Sequence, residues 1–208
     1  MLFVLRNPTQ TITCDKLGII DIGGLLRFMV GFSVRTVQGD ITTIPVDAIV
    51  NAANERMLGG GGVDGAIHDA SGPLLFEACM EVKEVSPGVR CPTGEARITP
   101  AFDLPADYVI HTVGPVWRGG SNNEEEMLSS AYRTSMLLAE ENGCESVSFP
   151  CISTGVFSFP FEQACNIALD TLGGFSGSDT IAEVLLVCFS VPREEEYRQI
   201  LAAHPLSD

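Results

Sequence analysis

Two polar side chains beside a run of glycines have the residue types that direct a water molecule in hydrolysis. Asn54 can both donate and accept hydrogen bonds, so it can orient a sugar hydroxyl or a water. Asp64 follows the glycines at the start of a predicted helix. A carboxylate at that place either caps the helix, or orients or deprotonates a water beside a bound ligand. The sequence leaves both roles open for Asp64.

The glycine run, Gly59 to Gly62, favours the binding of an anion. Consecutive glycines at the start of a helix expose backbone N–H groups and let a ligand come close. The alternative is a merely flexible turn. The run also begins a G-x-G-x-x-G pattern, but residues 51–58 separate it from the preceding strand, whereas the dinucleotide-binding motif follows its strand directly. It is not a Walker loop either, because no G-K-[ST] follows.

A second loop with small residues runs from Ser153 to Phe157. It lies between a predicted strand and a predicted helix, and its backbone can again donate to an anion, while Phe157 can cover a sugar or a base. An ordinary strand–helix connection is the alternative. Two loops of this kind in one small domain predict a ligand that carries a diphosphate.

The remaining candidate residues each have a structural alternative. Asp40 either accepts from an exocyclic amine such as that of adenine, or bonds to the backbone of its own turn. His68, on the helix face of Asp64, and His111, in an apolar strand, are predicted to be structural. Cys151, at the end of an apolar strand, is predicted to point into the core. No Ser-His-Asp or Cys-His set is evident.

Composition excludes several kinds of ligand. Twelve basic residues against 27 acidic ones give a formal net charge of −15, so we expect no nucleic-acid binding, which needs clustered Lys and Arg. Seven cysteines without a C-x-x-C pair, and three histidines, predict reduced thiols in a cytoplasmic protein without a metal site. The apolar stretch 18–32 contains Asp21 and Arg27 and is too short for a membrane helix.

The elements that must position these residues are typical of an α/β fold. From residue 33 onward, predicted strands and helices alternate, and the strands are nearly continuous apolar runs, as in a sheet covered on both faces. In such folds, ligands bind to the loops at the carboxyl ends of the strands. Residues 1–32 do not follow the alternation and could add a strand or a hairpin.

Six segments, in the same order along residues 33–203, carry a family resemblance. They are Val37–Thr42, Val50–Asn54, Gly59–His68, Cys91–Gly94, His111–Trp117 and Ile152–Phe157. Together they resemble the macrodomain family, and within it the MacroD-type bacterial O-acetyl-ADP-ribose deacetylases. The resemblance implies a three-layer α/β/α sandwich around a mixed, largely parallel sheet, formed by residues 33–208. Residues 1–32 are an N-terminal extension outside it.

The resemblance also implies a cleft for ADP-ribose and roles for the matching residues. Asn54 would position the distal ribose, and Asp64 would help to activate or orient a water, which makes this pair catalytic. Asp40 would hold the adenine amine. The other implied ligand-binding residues are Ile41 and Phe189 at the adenine, Gly61, Gly62 and Val63 near the distal ribose and phosphates, Ser153, Thr154, Gly155 and Val156 at the diphosphate, and Phe157 on the distal ribose.

One position departs from the pattern of the family. Close bacterial members often carry tyrosine where this chain has Phe157, and again at Phe159. Either a tyrosine hydroxyl assists the chemistry and is missing here, or the ring only shapes the pocket. The intact pair of Asn54 and Asp64 favours the second interpretation.

The sequence therefore predicts a hydrolase that deacetylates O-acetyl-ADP-ribose and removes mono-ADP-ribose from Asp or Glu side chains of modified proteins. Neither a metal nor another cofactor is expected. A non-catalytic ADP-ribose reader, with the same cleft but an absent or idle pair, is the alternative. A module that binds RNA or poly(ADP-ribose) is disfavoured by the net charge.

Overall fold

The computed structural model describes residues 19–22, 25–28, 31–175 and 180–207. The strands in these ranges are β1 Ile19–Ile22, β2 Leu25–Phe28, β3 Ser33–Gln38, β4 Ala48–Ala52, β5 Ala96–Pro100, β6 Tyr108–Thr112, β7 Ser146–Pro150 and β8 Glu183–Cys188. The helices are α1 Val63–Ser71, α2 Pro73–Glu81, α3 Glu124–Glu141, α4 Phe161–Gly173 and α5 Val191–Ala203.

Six of the strands form one sheet in the order β3-β8-β7-β4-β6-β5. Every neighbouring pair in it is parallel except β5 and β6 at one edge, which are joined by a short loop and run antiparallel. The prediction of a mixed, largely parallel sheet is therefore confirmed. Strands β1 and β2 form a separate antiparallel pair within the predicted extension.

Helices cover both faces of the large sheet. Successive residues of a strand point to opposite faces, and β4 shows this directly. Ala48 and Val50 pack in the core beneath α3, α4 and α5, whereas Ile49 packs in the core beneath α1 and α2. The predicted three-layer sandwich is confirmed, and its apolar strands are explained by burial on both sides.

The break between α1 and α2 has a local cause. Gly72 has a φ of 75°, and a Cβ at this position would lie 2.8 Å from Oδ2 of Asp103. Pro73 then occupies the first turn of α2, where its missing N–H costs no helical hydrogen bond.

The boundary predicted at residue 33 stays a prediction. Phe32 already belongs to the core, and its ring lies 6.5 Å from that of Phe175. Of the predicted extension, residues 1–18, 23–24 and 29–30 lie outside the described residues. None of the helices in the described ranges is long and apolar enough to span a membrane.

Candidate active site

A cleft of about 550 Å³ opens at the carboxyl ends of β3, β4, β7 and β8. It lies where ligands bind in open α/β sheets. Its lining contains every residue that the sequence predicted to bind ligand: Asp40, Ile41, Gly61, Gly62, Val63, Ser153, Thr154, Gly155, Val156, Phe157 and Phe189. The fold thus brings together loops that are far apart in the chain.

The two predicted catalytic residues contact each other beside the glycine loop that borders the cleft, although neither of them is among the residues that line it. Nδ2 of Asn54 is 3.4 Å from Oδ2 of Asp64 and 2.9 Å from the carbonyl oxygen of Gly59. Asn54 lines a second cavity of about 460 Å³, which shares Gly114 and Phe157 with the main cleft. Asn54 therefore borders an opening next to the cleft, whereas Asp64 is buried behind it.

Asp64 does not cap its helix. The residue that precedes α1 is Gly62, without a side-chain cap, while the Asp64 carboxylate is 3% exposed and turned towards the sheet. Its Oδ1 accepts a hydrogen bond of 2.7 Å from Nδ2 of Asn51 and lies 3.6 Å from Nε2 of His68. Burial raises the pKa of Asp64, and the Asn51 hydrogen bond and the nearby His68 oppose that rise. Of the two predicted roles, helix capping is wrong.

A buried row of polar side chains continues beneath Asp64. Nδ2 of Asn51 is also 3.2 Å from Nδ1 of His111, and Nε2 of His111 is 3.0 Å from Oγ1 of Thr99. Asn51 and His111 have no exposed surface, and burial lowers the pKa of His111 to about 3. The sequence placed residue 51 just past its strand, but Asn51 lies within β4 and pairs with His111 of β6. A polar residue at the end of an apolar strand was the signal for this role.

Close steric contacts require glycine in and next to this run, whereas a merely flexible turn would not require it. A Cβ at Gly60 would lie 2.9 Å from Oδ2 of Asp64 and 3.2 Å from Nδ2 of Asn54. A Cβ at Gly65 would lie 2.6 Å from the carbonyl oxygen of Gly60, and Gly62 has a φ of 65°. The loop can lie against the carboxylate only because these side chains are absent.

Both loops present backbone donors to the cleft. The N–H groups of Gly61, Gly62, Gly155, Val156 and Phe157 donate to no described residue. Unpaired N–H groups on two facing loops can bind the oxygens of a diphosphate. This arrangement fits the predicted ligand class better than two ordinary connections do.

The second loop is held in an unusual conformation. Ser153 has a φ of 65°, is buried, and its Oγ makes no hydrogen bond to a described residue. A side chain at Gly114 would collide with Oγ of Ser153 and Cγ2 of Ile152. At the far end of the loop, the carbonyl oxygen of Phe157 accepts a hydrogen bond of 2.9 Å from the N–H of Trp117. The β6 end of the sheet thereby fixes this loop at both ends.

The opposite end of the cleft contains Asp40 and Phe189. Oδ1 of Asp40 accepts from the N–H of Thr42 at 3.0 Å and from its hydroxyl at 2.7 Å, so the predicted turn role is present. The Asp40 side chain still lines the cleft, and its role at an adenine stays a prediction. The ring of Phe189 is 83% exposed, which leaves its face open to a planar ligand.

Cys151 packs against the core, as predicted, and also lines the cleft. It follows the end of β7 and is half buried. Its Sγ lies 3.5 Å from Sγ of Cys188. The strand ends at Pro150, two residues before the end that the apolar run predicted at Ile152.

One group of side chains has the composition of a metal site. Donor atoms of His68, Cys79 and His111 lie within 4.8 Å of one another. Nε2 of His111 already contacts Thr99, and burial raises the pKa of the Cys79 thiol to about 12, which keeps it protonated. These contacts fit a hydrogen-bonded cluster better than a metal centre. The expected absence of a metal stays a prediction.

The chain belongs to the macrodomain family, the three-layer α/β class that its fold and cleft define. The model of the Macro domain family matches residues 50–168. The O-acetyl-ADP-ribose deacetylase of Klebsiella pneumoniae is 51% identical over 172 residues, which cover 82% of this chain and 97% of that protein.

Two solved macrodomains are also similar. The Oceanobacillus iheyensis macrodomain with ADP has a TM-score of 0.78 and 42% identity, covering 83% of this chain and 92% of the other. The Trypanosoma brucei macrodomain in complex with ADP-ribose has a TM-score of 0.71 and 40% identity, covering 81% and 68%.

Proposed function

We propose that this protein hydrolyses the ester of O-acetyl-ADP-ribose. The observation that carries the proposal is the contact between Asn54 and Asp64 beside the glycine loop, whose next residues line a cleft with unpaired backbone donors. The K. pneumoniae relative, named an O-acetyl-ADP-ribose deacetylase, supports the same substrate. An idle reader would have no need for a buried carboxylate at this place, because desolvation of a charge is costly.

In the proposed binding mode, ADP-ribose lies along the whole cleft. The adenine lies between Asp40 and Phe189, and the diphosphate accepts hydrogen bonds from the N–H groups of both loops. The start of α1 adds the positive end of a helix dipole. The distal ribose then reaches Asn54 and packs against Phe157. Neutral donors bind the anion, so a strongly acidic protein can still bind a diphosphate.

In the proposed reaction, Asn54 positions the distal ribose and Asp64 orients a water towards the acyl carbon. The water oxygen forms a bond to that carbon, and the bond from the carbon to the ribose oxygen breaks. Acetate leaves, and the ribose oxygen regains a proton as a hydroxyl. Because burial raises its pKa, Asp64 is a better proton acceptor than an exposed aspartate. Positioning in the cleft supplies a further part of the rate enhancement.

We also propose removal of mono-ADP-ribose from Asp and Glu side chains of proteins, since this linkage is an ester of the same ribose. The second cavity supports this activity, because Asn54 lines it and it shares Gly114 and Phe157 with the cleft. An acyl group larger than acetyl has room there. A cytoplasmic location belongs to this proposal, and six free cysteines among the described residues support it.

Release of ADP-ribose from O-acetyl-ADP-ribose, followed by chromatography, tests the proposal. We expect turnover by the wild type and a loss of about 10²-fold or more in Asp64→Ala. The affinity for ADP-ribose, measured by calorimetry, should change little. Tight ADP-ribose binding without release by either protein would instead make this chain a reader.

A further inference from the structure

We propose that His111 is a positioning residue for the reaction, because its Nδ1 accepts a hydrogen bond from the Asn51 amide and so holds that amide on the Asp64 carboxylate. The inference rests on the proposed function, in which Asp64 orients the water. His111 itself touches no part of the cleft, since it lies within β6 and is fully buried. Its effect must therefore pass through Asn51.

The orientation of Asn51 follows from its contact with Asp64. The Asn51 atom that lies 2.7 Å from Oδ1 of an ionised carboxylate must be the amide nitrogen, because two oxygens would repel each other. The same nitrogen lies 3.2 Å from Nδ1 of His111. One of its two hydrogens is used by Asp64, and the second points to the imidazole. Nδ1 of His111 must then be an acceptor without a proton.

The tautomer of His111 follows in the same way. With Nδ1 unprotonated, a neutral imidazole carries its proton on Nε2, which lies 3.0 Å from Oγ1 of Thr99. Thr99 therefore accepts from Nε2 and fixes the ring from β5. Donors and acceptors thus alternate without conflict from Thr99 through His111 and Asn51 to Asp64. The Oδ1 atom of Asn51 makes no hydrogen bond to a described residue, so the amide is held through its nitrogen alone.

The charged and titratable groups around the row do not take over the contact between His111 and the Asn51 amide. His68 faces Asp64 from α1, and Cys79 faces His111 from α2, with Sγ 3.7 Å from Nε2. Asp64 raises the pKa of the Cys79 thiol, and Arg90 lowers it. Burial lowers the pKa of His111 to about 3, so its ring stays neutral over the working pH range. A constant, neutral acceptor is what a fixed Asn51 amide needs.

Two substitutions separate the acceptor at Nδ1 from the packing of the ring. In His111→Asn, the side-chain amide lies near the former Nδ1 position and can offer Asn51 an oxygen. In His111→Gln, the amide reaches the Nε2 position and leaves Asn51 without that acceptor. Both variants remove the ring, and Gln, with one more methylene group, loses less packing than Asn, so a larger loss of rate in His111→Gln cannot come from packing. The readouts are kcat, KM, the ADP-ribose affinity and the pH profile of kcat for O-acetyl-ADP-ribose.

We expect His111→Gln to lower kcat at least about tenfold with little change in ADP-ribose affinity, and His111→Asn to retain most of the rate. In His111→Gln the acid limb of the kcat profile should move to higher pH, because Asp64 loses the hydrogen bond that lowers its pKa. Equal losses in both variants with an unmoved acid limb would overturn the proposal and leave His111 a packing residue.

A measurement on the wild type keeps the proposal testable if neither variant folds. The ¹⁵N chemical shifts of the His111 ring should show a bare Nδ1 and a protonated Nε2 at neutral pH. A proton on Nδ1, or a doubly protonated ring, would contradict it. Failure of the proposed function has a different signature, since the wild type would then bind ADP-ribose without releasing it from its ester, whatever the tautomer of His111.

Discussion

At the scale of single residues, the carboxylate of Asp64 is kept buried at a cost to stability. Its pKa is raised in the folded state by burial, so folding favours the protonated form. The stability contribution of such a group is fully present below the unfolded pKa and is lost as the pH rises through the folded pKa. At neutral pH, the ionised Asp64 carboxylate is therefore solvated less well inside the folded protein than it is in water.

Replacement of this charge should stabilise the fold. We expect Asp64→Asn to raise the melting temperature at pH 7 by a few degrees, roughly 2–4 °C for each kcal/mol in a domain of this size. The gain should shrink as the pH falls towards the unfolded pKa, because the wild type then regains its proton. Thermal melts at several pH values measure this. A variant that is less stable than the wild type at pH 7 would show that the Asp64 hydrogen bonds outweigh the burial cost.

Gly60 should control the position of the same carboxylate. In Gly60→Ala, the new Cβ would lie 2.9 Å from Oδ2 of Asp64, so we expect kcat to fall at least about tenfold. Gly61→Ala is the matched control, because its Cβ would meet nothing within 4 Å in the free protein but would stand in the way of the ligand. We expect the control to raise KM more than it lowers kcat. The same kinetic pattern in both variants would mean that loop stiffness, not displacement of Asp64, is responsible.

At the scale of elements, the loop after β7 depends on the end of β6. Gly114 is the contact between them, and a Cβ there would collide with Ser153 and Ile152. We expect Gly114→Ala to weaken ADP-ribose binding at least about tenfold, because the loop and its N–H groups must move. Calorimetry measures the affinity, and circular dichroism checks that the sheet is retained. Unchanged affinity would show that the second loop does not bind the diphosphate.

Most elements could be predicted from the sequence, because their signals are local. The alternating apolar runs indicated the sheet and the helices that cover both of its faces. The position of Asn51 could not be predicted, because its partners in α1 and β6 are distant in the chain. The end of β7 at Pro150 could not be predicted either, since an apolar run does not mark the residue at which a strand turns into a loop.

At the scale of the whole molecule, the net charge opposes the ligand that the cleft is proposed to bind. A formal charge of −15 repels ADP-ribose, while the cleft itself is lined by neutral residues and one exposed acid, Asp40. We expect the affinity for ADP-ribose to rise modestly when salt is raised from about 50 to about 300 mM, because salt screens this repulsion. A steep loss of affinity with salt would indicate a cationic clamp instead.

The sequence indicated the residues that line the cleft better than it indicated the buried side chains that hold Asp64 in place. Every residue predicted to bind ligand lines one cleft, because the family motifs lie in the loops that the parallel strands bring to one edge. Their roles in binding stay predictions. The buried row from Thr99 to Asp64 was not predicted as a row, since only Asp64 was a catalytic candidate and its contacts with Asn51, His111 and Thr99 join residues distant in the chain.

Hydrolysis in ¹⁸O-labelled water tests the central claim most directly, namely that a water held by Asp64 attacks the acyl carbon of the ester. A single turnover of the wild type with O-acetyl-ADP-ribose should release ADP-ribose and place the label in acetate, as seen by mass spectrometry. Acetate without label would mean that the ribose carbon is attacked and would contradict the account. Binding without any release would contradict it as well.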